Sequence, residues 1–175
     1  METIDKIGFG GGCHWCTEAV FQSLKGVTQV KQGFIAATEP DSLYSEAVIV
    51  SFKKDQLSLK ELISVHLHTH NSTSDHSLRG KYRSAIYVFD EEEMRVVKDI
   101  LRSLQTDFID PLITKVLLYA HFKPSEEQFQ NYYFSNPDKP FCETYIVPKL
   151  ALLKDKFTIL LDKEKFSTYP LFSQK

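Results

Sequence analysis

Four of the chain's seven glycines fall in Gly8-Phe9-Gly10-Gly11-Gly12, and two of its three cysteines follow at once in Cys13-His14-Trp15-Cys16. A thiol attacks an electrophile or exchanges with a disulfide as its thiolate, so a reactive cysteine needs surroundings that favour the anion. A strand ending in these glycines and a helix opening at Cys13 would supply them. Glycine permits the tight turn, and the Cys13 sulfur would then sit among unpaired N–H groups at the positive end of the helix dipole. Cys16, one turn further on, can meet Cys13 in a disulfide. The competing reading is a pair of small buried apolar side chains, the ordinary use of free cysteine. A close pair behind a glycine run favours redox or nucleophilic chemistry instead. An odd, sparse set of three, with Cys142 far along the chain, makes no disulfide scaffold, and 175 residues can bury a core without one.

These residues must be held by elements whose order the hydrophobic periodicity predicts. Ile4–Gly10 reads as a strand. Cys13–Leu24 reads as a helix with Ala19, Val20, Phe21 and Leu24 on its apolar side, and with Gly26 as its C-cap residue. Val27–Ala36 and the β-branched run Glu46–Phe52 read as strands. Ser58 with Glu61 forms a capping box opening a helix to about Thr69. Asn71–Lys81 is a polar loop, Ser84–Phe89 a strand, and Asp90 caps a helix to about Asp107. A strand at Lys115–Ala120, a short helix at Ser125–Phe134 and helical structure from Pro148 to Leu161 complete the pattern. The opening order β-α-β-β-α-β predicts an α+β fold, a two-layer sandwich with a ferredoxin-like (split β-α-β) core. Its sheet is antiparallel or mixed, and the C-terminal segment wraps it. One domain is expected over 1–175, its core at about 4–155 and an extension at about 156–175.

Composition narrows the function classes. Lys and Arg number 21 against 23 Asp and Glu, a formal charge of −2. That argues against a nucleic-acid partner, which asks for a basic face. No run approaches the roughly 18 apolar residues of a membrane span. Met1-Glu2-Thr3-Ile4-Asp5-Lys6 has no apolar h-region, so no signal peptide is read and a cytoplasmic, monomeric protein is expected.

The run Gly12-Cys13-His14-Trp15-Cys16-Thr17-Glu18-Ala19-Val20-Phe21 resembles the signature of the A-type peptide methionine sulfoxide reductases, in which Gly-Cys-Phe-Trp is followed after two residues by Glu. The likeness continues at Leu24-Lys25-Gly26-Val27, Gly33-Phe34 and Ser45-Glu46-Ala47-Val48. It resumes at Lys81-Tyr82-Arg83-Ser84-Ala85-Ile86-Tyr87, at Ser125-Glu126 with Gln130 and Tyr132, and at Phe141-Cys142 with Ile146-Val147-Pro148-Lys149-Leu150. It spans residues 4 to about 155 in order.

The resemblance implies thiol-dependent reduction of the S diastereomer of methionine sulfoxide, in proteins, peptides or the free amino acid. Cys13 would attack the sulfoxide sulfur, and Glu46, set in an otherwise apolar strand, would donate the proton. Tyr82 would hydrogen-bond the sulfoxide oxygen. Trp15, with His14 and Phe34, would wall the pocket for the substrate methyl group. The Cys13 sulfenic acid would condense with a second thiol. Cys142, in the mobile-looking 136–141 segment, is the expected resolver and Cys16 its rival. Thioredoxin would recycle the disulfide, with no bound cofactor.

Several positions depart from that pattern. His14 replaces a pocket phenylalanine, Phe34 a second oxygen-binding tyrosine, Ala36-Ala37 a glycine pair and Phe129 a histidine. His70-Asn71-Ser72-Thr73 stands for His-Asp-Pro-Thr, and the loop after it is about four residues short, leaving Asp75, His76 or Ser77 to stand for the family's aspartate. Three other readings compete with an active reductase. Cys13 and Cys16 alone could serve a generic thiol–disulfide oxidoreductase. The fold could bind oxidised methionine without turnover. His66, His68, His70 and His76 with the cysteines could suggest zinc, although no second Cys-x-x-Cys follows and no metal is expected.

Overall fold

A computed structural model of the chain describes residues 4–167. Its strands are β1 (Ile4–Gly10), β2 (Val27–Ala37), β3 (Ser45–Lys53), β4 (Ala85–Val88) and β5 (Lys115–Pro124). Helices α1 (His14–Gln22), α2 (Leu59–Thr69), α3 (Glu91–Leu104), α4 (Tyr132–Ser135), α5 (Val147–Lys156) and α6 (Lys163–Ser167) join and cover them. The β-α-β-β-α-β order is therefore present. The sheet is mixed, but it does not lie open as one layer of a sandwich. β5 pairs antiparallel with β2 and parallel with β4, closing the ring β1-β3-β2-β5-β4. Periodicity within single strands predicts which residues share a face but not which edges meet, so closure was invisible to it.

Closure divides the apolar residues into two sets by the period-2 alternation of strands. Ile7, Phe9, Val48, Val50, Phe52, Ile86 and Val88 face outward into the core beneath the helices. Ile35, Ala37, Ala47, Ile49, Ala85 and Tyr87 fill the barrel. A five-stranded ring has little interior, and small residues make room there for one large one. A Cβ on Gly8 would lie 2.9 Å from the Tyr87 Cβ. Buried Arg83 plugs the same space, donating from Nε to the Tyr87 hydroxyl (3.1 Å) and from Nη2 to Ile35 O (3.2 Å).

Gly33 is where β2 comes nearest β5. A Cβ there would lie 2.2 Å from Lys123 O. Gly33→Ala must push the two strands apart, and we expect it to destabilise the fold by about 1–3 kcal/mol. A urea or thermal midpoint equal to that of the parent would contradict this.

Other expectations meet the structure as follows. Ser58 and Glu61 form both bonds of the capping box. Gly26 adopts φ +82°, but it lies beyond Ser23, which caps α1. The single helix expected over 125–134 is broken. Asn131 takes a left-handed conformation (φ 54°) between a short 3-10 turn at Glu127–Phe129 and α4. The physical cause is Glu18, whose carboxylate accepts the N–H groups of both Asn131 and Tyr132 at 3.0 Å. The C-terminal segment returns to α1, with Lys25 N–H donating to Leu160 O (2.8 Å) and Leu24 bridging Leu161. The part of the expected extension beyond residue 167, and residues 1–3 of the expected N-terminal reading, lie outside the described residues.

Candidate active site

The Gly10-Gly11-Gly12 turn carries the chain from β1 into α1, with Cys13 as the N-cap residue. Two histidines, one within α2 and one capping its C-terminus, hold that turn. His66 Nε2–H donates to Gly10 O (2.9 Å), and the His70 ring packs where a Gly11 Cβ would sit, 2.4 Å from Cδ2. Burial pushes both imidazoles down, His70 to about 3, so neither carries charge near neutral pH. They act as clamps on the backbone. Among the described residues no group of three or more His, Cys, Asp or Glu side chains is placed to hold a metal ion.

Cys13 is half-buried and its thiol pKa is lowered. The Cys16 thiol donates to it, and the Trp15 and Cys16 N–H groups add to the effect, outweighing burial and the nearby Glu46 carboxylate. The same hydrogen bond pushes Cys16 up, since its proton is held between the two sulfurs; burial and the Cys13 charge act in the same direction. Cys16 therefore stays a thiol and favours the anion at Cys13.

The strand register brings the second group in. Phe34 of β2 pairs with Glu46 of β3, so both side chains leave the barrel on the same face, under the start of α1. Glu46 is only 6% exposed. Its Oε1 accepts the His14 backbone N–H at 3.3 Å and lies 3.4 Å from His14 Nε2. The His14 ring stands edge-on to Phe34 at 5.1 Å and donates from Nδ1 to Gly33 O at 2.6 Å. Ser45 Oγ donates to Lys81 O and accepts the Arg83 N–H, tying the 81–83 segment to the head of β3. Lys81 Nζ thereby reaches Glu46 Oε2 (3.6 Å) and lies 5.0 Å from the Tyr82 ring centre. Hydrogen bonding to Tyr82, then the Glu46 charge, raises the Lys81 pKa. Tyr82 thus joins Glu46 by way of Lys81. Its backbone oxygen and Gly11 O share one donor, Arg79 Nη1, at 2.9 and 3.0 Å.

Trp15 stacks on Tyr132 (4.1 Å, 7° between planes), meets Phe141 edge-on at 5.1 Å and lies 5.6 Å from Phe129. Glu18 sets this up, because the carboxylate that breaks the chain at Asn131 fixes Tyr132 over the indole.

Cys142 is fully buried, and its sulfur approaches Asn136 O at 3.7 Å. Burial pushes its thiol up. The segment before it, 137–139, is turn and bend. Cys142 opens a π-helical turn, Cys142–Ile146, that runs without a break into α5. Cys16 also feels the charge of Lys149, a half-buried ammonium that donates to Thr69 O.

The residues expected to act thus fall into three groups: Cys13 with Cys16, Glu46 with His14, Phe34 and Tyr82, and Trp15 with its aromatic neighbours. Asp75, His76 and Ser77, the candidates for the family's aspartate, are all exposed. Arg79, Lys81, Tyr132 and Lys149 escaped the sequence reading. Lys81, Tyr132 and Lys149 stand inside runs that resemble the family, but nothing in their spacing announced which groups they would meet.

A cysteine of lowered pKa at the N-cap of a helix, with a thiol on the same helix and a buried carboxyl beside it, defines a thiol-dependent oxidoreductase. The peptide methionine sulfoxide reductase family profile matches residues 5–159. The peptide methionine sulfoxide reductase MsrA of Acinetobacter baumannii strain AYE is 34% identical over 167 residues, covering 87% of this chain and 96% of that protein. Mxr1 from Saccharomyces cerevisiae shares the fold. Its reduced form aligns with a TM-score of 0.69 at 22% identity, covering 81% of this chain and 91% of that one. Mxr1 in complex with Trx2 aligns at 0.59 and 19% identity, over 71% and 83%. The chain belongs to the peptide methionine sulfoxide reductase family, and its named relatives are of the A type.

Proposed function

We propose that the chain reduces the S diastereomer of methionine sulfoxide, in oxidised proteins, peptides or the free amino acid, and that thioredoxin restores it. The observation that carries this reading is the lowered thiol pKa of Cys13 at the start of α1, with the buried Glu46 carboxyl close enough to act on it. The Cys13 sulfur attacks the sulfoxide sulfur while Glu46 protonates its oxygen. The substrate S–O bond breaks, the transient bond between the two sulfurs breaks in turn, and the oxygen ends on Cys13. Thiolate, sulfoxide and one proton become Cys13–SOH and methionine. Tyr82, with Lys81, stabilises the oxygen, and Trp15, Phe34 and His14 wall the methyl group.

The sulfenic acid then condenses with a thiol, losing water. Cys16 meets it first, because its S–H already points at the Cys13 sulfur. Once Cys13 is oxidised, the hydrogen bond to its thiolate and that negative charge are gone, which frees the Cys16 proton. Cys142, the resolver expected from sequence, takes over from Cys16 as the relay toward thioredoxin. The Mxr1–Trx2 complex supports that partner. We further read β4-β1-β3-β2 as the ferredoxin-like core of one domain, with β5 closing it, and the protein as a cytoplasmic monomer whose thiols stay reduced there. Among the described residues no helix is long and apolar enough to cross a membrane.

A thioredoxin-coupled NADPH assay on both diastereomers of a blocked methionine sulfoxide peptide tests this, and turnover of the S form alone is expected. Turnover of R alone, or of neither, would overturn it; a generic dithiol oxidoreductase would instead reduce insulin disulfides without needing Glu46. In one turnover without reductant, Cys16→Ser should accumulate a sulfenic acid that a cyclic dione traps, while Cys142→Ser should still form a disulfide. The reverse pattern would make Cys142 the first resolver.

A further inference from the structure

The 71–81 loop is about four residues shorter than in the family, and its Asp75, His76 and Ser77 are exposed. Its Arg79 side chain is half-buried and reaches out of the loop. Nε donates to Ser74 O (2.9 Å), Nη2 to Asn71 O, and Nη1 to both Gly11 O (3.0 Å) and Tyr82 O (2.9 Å). Four backbone oxygens thus take four of the five guanidinium hydrogens. Two of them fold the loop on itself. The other two belong to separate parts of the site: the glycine turn two residues before Cys13, and the segment that carries Tyr82 into β4. We propose that Arg79 is a positioning residue for the reduction, its Nη1 holding the glycine turn before Cys13 and the backbone of Tyr82 at a fixed separation, so that the Cys13 sulfur and the Tyr82 hydroxyl meet the sulfur and the oxygen of one sulfoxide.

The contacts on either side of the guanidinium fit that role. His66 and His70 hold the glycine turn from α2, and Arg79 holds it from the loop. Both polar backbone groups of Tyr82 are bound to the turn that carries Arg79, since its N–H donates to Leu78 O (2.9 Å) and its oxygen accepts from Nη1. The residues flanking Tyr82 are tied to β3 through Ser45 Oγ. A guanidinium is planar with its N–H directions fixed, so two oxygens on one nitrogen cannot drift apart independently; a lysine ammonium on a flexible stem offers no such fork. The sulfur and oxygen of a sulfoxide are one bond apart, so the nucleophile and the oxygen's donor must be placed together. A misplacement of about 1 Å costs on the order of a hundredfold in rate.

This inference rests on the proposed reductase reading, so its test separates the two. Methionine formed in a single turnover is measured against S-sulfoxide peptide concentration for the parent, Arg79→Lys, Tyr82→Phe and the double variant. Arg79→Lys should lower the rate at saturation roughly ten- to a hundredfold. The half-saturating concentration should stay nearly unchanged, because the stacking of Tyr132 on Trp15 hangs on Glu18 instead. In the Tyr82→Phe background the same substitution should cost less than about twofold, since the hydroxyl it positions is gone. Arg79→Gln, neutral and shorter, serves in the same cycle, and the same non-additivity is expected of it. Alkylation of Cys13 should keep its parent pH dependence in Arg79→Lys, because the groups that lower the Cys13 pKa are untouched. Equal losses in both backgrounds, no loss in the parent background, or a shifted alkylation profile would overturn the role of Arg79 while leaving the reductase reading intact. A parent that makes no methionine would overturn the reductase reading itself.

Discussion

Cys13→Ser should abolish methionine sulfoxide reduction while making the protein no less stable. The loss follows from the chemistry of the atom. A serine hydroxyl does not ionise near neutral pH and cannot be taken through a sulfenic acid, so turnover should fall on the order of a thousandfold or more, as when other covalent nucleophiles are removed. The stability half comes from the helix. Cys13 occupies the N-cap of α1, where its sulfur is only a weak acceptor for the Trp15 and Cys16 N–H groups, and serine is among the residues that cap well. We expect Cys13→Ser to gain about 0.5–1 kcal/mol in urea denaturation. A dead and slightly stabilised variant would show that α1 begins on a residue chosen for reactivity against the preference of the helix. Retained turnover would refute Cys13 as the nucleophile, and a variant both dead and unfolded would refute the account of its cap.

Glu46→Gln should produce two opposed changes in one protein. The substituted amide keeps the shape of the buried side chain but has no acidic proton to give, so single-turnover methionine formation should fall by about 10²–10³-fold, the usual scale for a lost general acid. At the same time the Glu46 charge, which opposes ionisation of Cys13, is gone. The thiol pKa should fall further, so alkylation of Cys13 should persist to lower pH than in the parent. A merely structural role for Glu46 would not combine a slower reduction with a more readily ionised nucleophile. If reduction is unimpaired, the proton comes from elsewhere, and Tyr82 with Lys81 becomes the next donor to test.

Features set by neighbours along the chain are legible in the sequence, and features set by distant residues are not. The Ser58–Glu61 capping box, the Asp90 cap of α3 and the strand Ile4–Gly10 are set by neighbours in the chain, and all three are found. The helix expected over 125–134 failed because a carboxylate more than a hundred residues upstream, Glu18, captured its backbone N–H groups. The link before Cys142 does read as it is built, with turn and bend over 137–139, but that Cys142 is buried and opens a helical turn was not legible in it.

From the sequence alone came the proposed nucleophile, its glycine turn, the helix that opens at it and the family, because each resides in a contiguous run whose chemistry is local. Whether Glu46 is an outward strand residue or a buried acid could not be read from alternation, since β3 is buried on both faces. The antiparallel register opposite Phe34 and the closure of the ring decided it. The meeting of His14 Nε2 with Glu46 and the return of Tyr132 onto Trp15 were decided in the same way. Such contacts join residues of distant sequence position, and they exist only once the burial of two apolar cores has chosen which strand edges and which helix faces come together.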